Sequence, residues 1–224
     1  MTRLSNALLL AALPVLAACN DSNGKRPPFV PKPPTPALCP GWTIGPIING
    51  VNWSPPFQEF PCTHDGAFTF PVCAHEPDPA PEPSVHAVTR LQAPPLATGQ
   101  TMSIVFEIIG EPGFEETEQG MVVPYLSLFM QRAGDNWSGA GAFNEYRGYS
   151  ARNVPLAPGR HELRVPLTND EWVAVMDHGT DAGFQQLLLN ISNVGYTFGG
   201  SGRAHGACAL NQGVRFVLHE FSIQ

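Results

Sequence analysis

Proline sets the first limit on this chain. Pro27, Pro28, Pro31, Pro33, Pro34 and Pro36 crowd one stretch, Pro55, Pro56, Pro61 and Pro71 break the next, and Pro77, Pro79, Pro81 and Pro83 fill a third. Proline lacks an amide hydrogen and its ring clashes with the preceding helical turn, so none of these stretches can hold a long regular element. With 24 prolines, 22 glycines and only 14% charged residues, the chain fits a turn-rich all-β domain and not a helical bundle.

The same punctuation divides the chain. Residues 19–38 form a Pro-rich tether with few large apolar side chains, a composition that prefers extended polyproline II and acts as a semi-rigid spacer. Residues 39–84 read as an irregular wrap along the main domain. Trp42, Ile44, Ile47, Ile48, Val51 and Trp53 give the wrap something to bury, but it is too short and too broken for a core of its own. Glu76 to Pro83 alternates proline with other residues and reads as an exposed loop. Residues 85–224 carry the fold.

Met102, Ile104, Phe106 and Ile108 alternate with Ser103, Val105, Glu107 and Ile109, which predicts a strand buried mainly on one face. Tyr125 to Gln131 is more continuously apolar and is expected to be central in its sheet. Ala142 to Tyr149 and His161 to Leu167 read as two further strands, Val88 to Leu91 as the one that opens the sheet, and Asn193 to Phe198 as extended. Val214 to Ile223 closes the chain as a long strand, and its change of parity near Leu218 to Phe221 predicts a bulge. Thr168-Asn169-Asp170-Glu171 has the spacing of a capping box and predicts a helix through Trp172 to Met176, with a second short helix over Ala182 to Leu188. Seven or eight short strands with few helices predict a β-sandwich.

The first 18 residues stand apart. Arg3 gives a positive start, Leu8 to Leu16 is an apolar run too short to span a bilayer, and Leu16-Ala17-Ala18-Cys19 follows. This arrangement resembles the lipobox of bacterial lipoproteins. The resemblance implies cleavage before Cys19, a diacylglycerol on its thiol and acylation of the new amino terminus. Each buried methylene of such chains contributes about 0.8 kcal/mol, so several chains anchor firmly. The resemblance also implies a cell-envelope location, and Asn20 in place of an aspartate favours the outer membrane of a Gram-negative host. An ordinary secretory signal is the alternative. No later stretch is long and apolar enough to cross a membrane, so the lipid is the expected membrane partner. The net charge of −7 argues against nucleic acid, which needs a basic face.

With Cys19 set aside, Cys39, Cys62, Cys73 and Cys208 remain, an even number that fits two disulfides in an exported chain. Four cysteines allow three pairings. The short loop from Cys62 to Cys73 favours joining those two, which leaves Cys39 to staple the amino-terminal segment to Cys208; the other pairings stay open. No CxxC pair points to zinc.

The order of elements over 85–224 resembles the jelly-roll sandwiches of the galactose-binding-like kind, common in carbohydrate-binding modules. Closer in sequence, Gln131-Arg132-Ala133-Gly134-Asp135-Asn136-Trp137-Ser138-Gly139, Tyr146-Arg147-Gly148-Tyr149-Ser150, Phe198-Gly199-Gly200 and His205-Gly206, with Gly41 to Ile47 upstream, resemble a set of bacterial exported proteins and lipoproteins that carries no established activity. Such sandwiches often hold a structural calcium ion with an acidic residue from the last strand, which would be Glu220 here; hard carboxylate oxygens suit that ion. No other cofactor is expected.

The densest polar and aromatic cluster is Arg132, Asp135, Asn136, Trp137, Tyr146, Arg147 and Tyr149, placed by chain order at the tip of a hairpin. As a sugar site, a Trp or Tyr ring stacks on a pyranose while Asp, Asn and Arg bond its hydroxyls. As structure alone, an Arg–Asp pair and an Asn hold a long turn, with Trp137 as a lid. The glycine-rich run Phe198 to Gly206 lacks GK[ST] and the nucleophile elbow, so it reads as a connection, with His205 a possible border of a site. A glycosidase would need two carboxylates, for which Asp135 and Glu145 are the candidates. Three functions follow in order: a non-enzymatic glycan-binding lipoprotein, an envelope assembly protein with a protein partner, and a polysaccharide-active enzyme.

Overall fold

The two-residue period over Met102 to Ile109 is realised as a strand of nine residues, alternately half-buried and buried along almost its whole length. It belongs to a computed structural model that describes residues 41–48, 51–54, 66–73, 84–111, 113–116, 123–137, 147–174, 181–200 and 204–224. The lipobox, Cys19 and the tether lie outside the described residues.

The described chain enters as β1 (Trp42–Gly45), then folds a short hairpin of β2 (Ile47–Ile48) and β3 (Val51–Asn52), followed by β4 (Ala67–Thr69). After β5 (Ala87–Leu91) come the long β6 (Thr101–Ile109), β7 (Phe114–Glu116) and β8 (Tyr125–Arg132). Next are β9 (Arg147–Ser150), β10 (Val154–Pro155), β11 (Gly159–Pro166) and β12 (Trp172–Ala174). The helix α1 (Asp181–Leu189) leads to β13 (Ile191–Gly199), β14 (Ala207–Ala209) and β15 (Arg215–Ile223).

Two antiparallel sheets dominate. The larger runs β1-β5-β13-β8-β9-β12, with β10 also paired to β8; the smaller runs β11-β6-β15-β4. As the continuous apolar run required, β8 is interior to its sheet and buried on both faces. The closing strand carries its bulge where parity shifts, between Leu218 and Glu220. The wrap does not lie beside the sheets but supplies their edges: β1 pairs with β5, so Val88 to Leu91 does not open the sheet, and β4 pairs with β15.

The sheets pack face to face. Ile44, Val88, Leu126, Leu128, Met130 and Phe198 of the larger meet Met102, Ile104, Phe106, Val165 and Phe216 of the smaller in one core. Phe216 is its hub, with ring centroids 5.0 Å from Phe68, 5.3 Å from both Phe106 and Tyr196, and 5.7 Å from Phe198. Each such pair adds about 0.5–1.5 kcal/mol beyond the burial itself. The hydroxyl of Tyr196 is sealed in this core with no hydrogen-bond partner among the described residues, and burial pushes its pKa well above the usual phenol range.

Helix α1 confirms the expected second helix. Phe184, Leu187 and Leu188 fall on one face and are buried. Gly148 makes room for them, since a Cβ there would stand 2.9 Å from Leu187 Cδ2.

Two expectations fail. Thr168 starts only a single 3-10 turn over Asn169–Glu171 and makes no side-chain cap bond. Trp172, Val173 and Ala174 then pair with Ser150, Tyr149 and Gly148, because β-branched and aromatic residues beside an open strand edge gain more from a ladder than from a helix. The disulfide joins Cys73 to Cys208, with Cα atoms 5.0 Å apart, and not Cys62 to Cys73. Closeness in sequence gave way to closeness in space: Cys73 donates its amide to the carbonyl of Ala209, which places it beside β14. Cys39 and Cys62 lie outside the described residues.

Candidate functional site

The larger sheet turns a second face away from the core, and register decides what stands on it. Leu91, Asn193, Gln131 and Arg147 oppose one another across β5, β13, β8 and β9. The next row is Thr43, Thr89, Gly195, Phe129 and Tyr149. Side chains two apart on a strand share a face, so both rows lie on this outer side.

Gly195 is the low point of the surface. A Cβ there would stand 2.1 Å from the carbonyl oxygen of Val88 and 2.8 Å from the Phe129 ring. Phe129 lies across the space glycine leaves open, and its ring centroid is 5.3 Å from that of Trp137 and 6.4 Å from that of Tyr149.

The residues after β8 form the wall. Gly134 has a φ of 90° and Trp137 a φ of 67°, the latter in the left-handed region that costs a non-glycine residue about 1 kcal/mol or more. Asp135 offsets that cost. Its Oδ1 accepts the amide of Trp137 at 2.9 Å, a turn that aspartate favours. Its Oδ2 lies 3.0 Å from Arg147 Nε in an ion pair whose N–H is not aimed along a hydrogen-bond line. Arg147 in turn places its guanidinium carbon 4.8 Å from the centre of the Trp137 ring, a cation–π contact. The Asp135 side chain is 0% exposed and that of Arg147 10%, so both charges are spent inside the wall.

Between wall and sheet lies a cleft of about 200 Å³, lined among others by Thr43, Thr89, Leu91, Gln131, Asn193 and Trp137. Gln131 is engaged at both of its amide atoms, donating to the carbonyl of Asp135 at 3.0 Å and accepting from Asn193 Nδ2 at 2.8 Å. Three other polar atoms differ. The hydroxyls of Thr43 and Thr89 and Oδ1 of Asn193 take no bond from the protein among the described residues. None of the three is sealed away, in contrast to the hydroxyls of Ser127 and Tyr196. They stand ready for a ligand's hydrogen bonds.

Several expected site residues therefore meet. Asp135, Asn136 and Trp137 line the cleft; Arg147 and Tyr149, both buried, stand on the same sheet face opposite Gln131 and Phe129. Arg132 is half-buried at the strand end, its carbonyl accepting the Asp135 amide at 3.2 Å. Tyr146 and Glu145 lie outside the described residues. His205 does not join them: it sits beside Gly206, whose amide bonds Phe198, toward the opposite end of β13 from Ile191. Glu220 is on the other sheet, exposed, accepting the Ser222 hydroxyl at 3.0 Å. Among the described residues no three His, Cys, Asp or Glu side chains gather as a metal site. With its carboxylate buried and both oxygens occupied by Trp137 and Arg147, Asp135 is built to hold a turn and not to exchange a proton with substrate.

The sequence reading missed Thr43, Thr89, Gln131 and Asn193. One signal for the first two was present: Thr43 and Thr89 each neighbour a core aliphatic, Ile44 and Val88, on the opposite parity. No known protein family matches this chain, and neither does any curated protein.

Proposed function

We propose that this chain is an exported lipoprotein, anchored through Cys19, whose sandwich is of the galactose-binding-like jelly-roll kind and binds glycan at the outer face of its larger sheet. One observation carries the reading: a half-buried indole and three polar atoms that take no bond among the described residues border the same open cleft. A pyranose offers one apolar face and a rim of hydroxyls, and this lining answers both needs. The ring is positioned beforehand by Asp135 and Arg147, so binding costs little ordering.

The test is a glycan array probed with the acylated protein and with Trp137→Ala. The wild type is expected to retain a defined group of glycans and the variant to lose it by tenfold or more, on the order of 1.4 kcal/mol. A wild type that retains no glycan removes the reading. Intact-mass analysis of the native protein checks the anchor separately; residues 1–18 still present with a bare thiol at Cys19 would remove that part.

A further inference from the structure

We infer that the cleft selects uncharged glycans and excludes both acidic and amino sugars. This rests on the glycan reading above and narrows it to a substrate class. Among the described residues, Asp135, which lines the cleft, and Arg147 beside it are paired with each other at 3.0 Å, with side chains 0% and 10% exposed. The pair is held on both sides, by the amide of Trp137 on the carboxylate and by the Trp137 ring on the guanidinium. Among the described residues, a ligand charge would therefore meet hydroxyls, amides, Leu91, Pro46 and the indole, and a carboxylate whose side chain is closed to solvent and already held by Arg147.

Desolvating an ionic group is costly, and without a partner nothing offsets that cost. A neutral sugar hydroxyl faces no such penalty, because it can give a proton to Asn193 Oδ1 and exchange bonds with Thr43 and Thr89. The same argument fixes the salt response. Phosphate- or uronate-binding sites weaken steeply as salt screens their charges, while hydrogen bonding and ring stacking to neutral sugars do not.

The experiment titrates the full-length protein with three oligosaccharide sets of matched length: neutral gluco-, galacto- and xylo-oligosaccharides, oligogalacturonate, and chitosan oligosaccharide. Each set is measured at ~0.01 M and ~1 M NaCl, where the screening length falls from about 30 Å to about 3 Å. The expected result is binding of a neutral set alone, changing less than about twofold with salt, and weakened about tenfold in Thr43→Val/Thr89→Val, which keeps shape while removing both hydroxyls. Tighter binding of the anionic or cationic set, or a neutral affinity unmoved by the double substitution in a folded variant, overturns this inference and leaves the glycan reading standing. Binding of none of the three sets, together with a blank glycan array, overturns both.

Discussion

The two sheets look alike from within and differ from without. Toward each other they present the same apolar and aromatic side chains, with Phe216 and Tyr196 stacked across the interface at 5.3 Å. Away from the core, the smaller sheet is openly solvated. There Ser103 bonds Ser222 at 2.8 Å, His219 lies 3.0 Å from Glu107, and Glu162 is 3.6 Å from Arg164. The larger sheet's outer face is instead covered at one end by the segment after β8, and there the polar groups divide into a buried ion pair and three atoms without partners among the described residues. Polar residues on a sheet's outer face thus have two meanings. Where water reaches freely they satisfy one another at small gain, and where a wall rises over them their unmet bonds mark a place for something else.

Substitutions of graded size can break this contrast. The largest effect is expected from Gly195→Ala. Its added methyl would press on the Val88 carbonyl, a backbone atom that cannot step aside without disturbing β5, so a loss of about 3 kcal/mol or more is expected in urea unfolding. A value under about 1 kcal/mol would mean that β5 and β13 are not held as closely as described. Next comes Asp135→Asn, which leaves the Arg147 charge without its partner in a nearly closed site. Thermal unfolding should register about 2 kcal/mol, less than a fully buried pair would give because Arg147 keeps some exposure. The matching change on the other sheet, Glu107→Gln beside His219, should cost no more than about 0.5 kcal/mol, since both side chains are about a third exposed. Equal losses in the two carboxylate-to-amide variants would erase the distinction between the faces.

Much of the smaller sheet was legible in the sequence. The alternation in β6 and the parity shift in β15 are local patterns, and each predicts its own burial. The helix at Asp181–Leu189 was readable for the same reason. The failures share a different cause. The Thr168 turn and the Cys73–Cys208 link both depend on which distant strand lies alongside, β9 in one case and β14 in the other. The site divides along the same line. Asp135, Asn136 and Trp137 are consecutive, so their turn chemistry announced them. Thr43, Thr89, Gln131 and Asn193 come from four strands, and only the register of those strands puts them on one face.

The Cys73–Cys208 bond also decides how the molecule would answer a mechanical pull between its ends. Everything from Cys73 to Cys208, 135 positions apart, is closed into a covalent ring that tension cannot lengthen. The load would fall on the two flanking arms, which carry β1 and β4 on one side and β15 on the other. On the carboxy-terminal side β15 lies between β6 and β4, so a load on that arm would have to shear two ladders at once, while β5, β8 and β13 stay protected inside the ring. Stretching would therefore reach Thr89, Gln131, Trp137 and Asn193, all enclosed between Cys73 and Cys208, only after the flanking arms had given way.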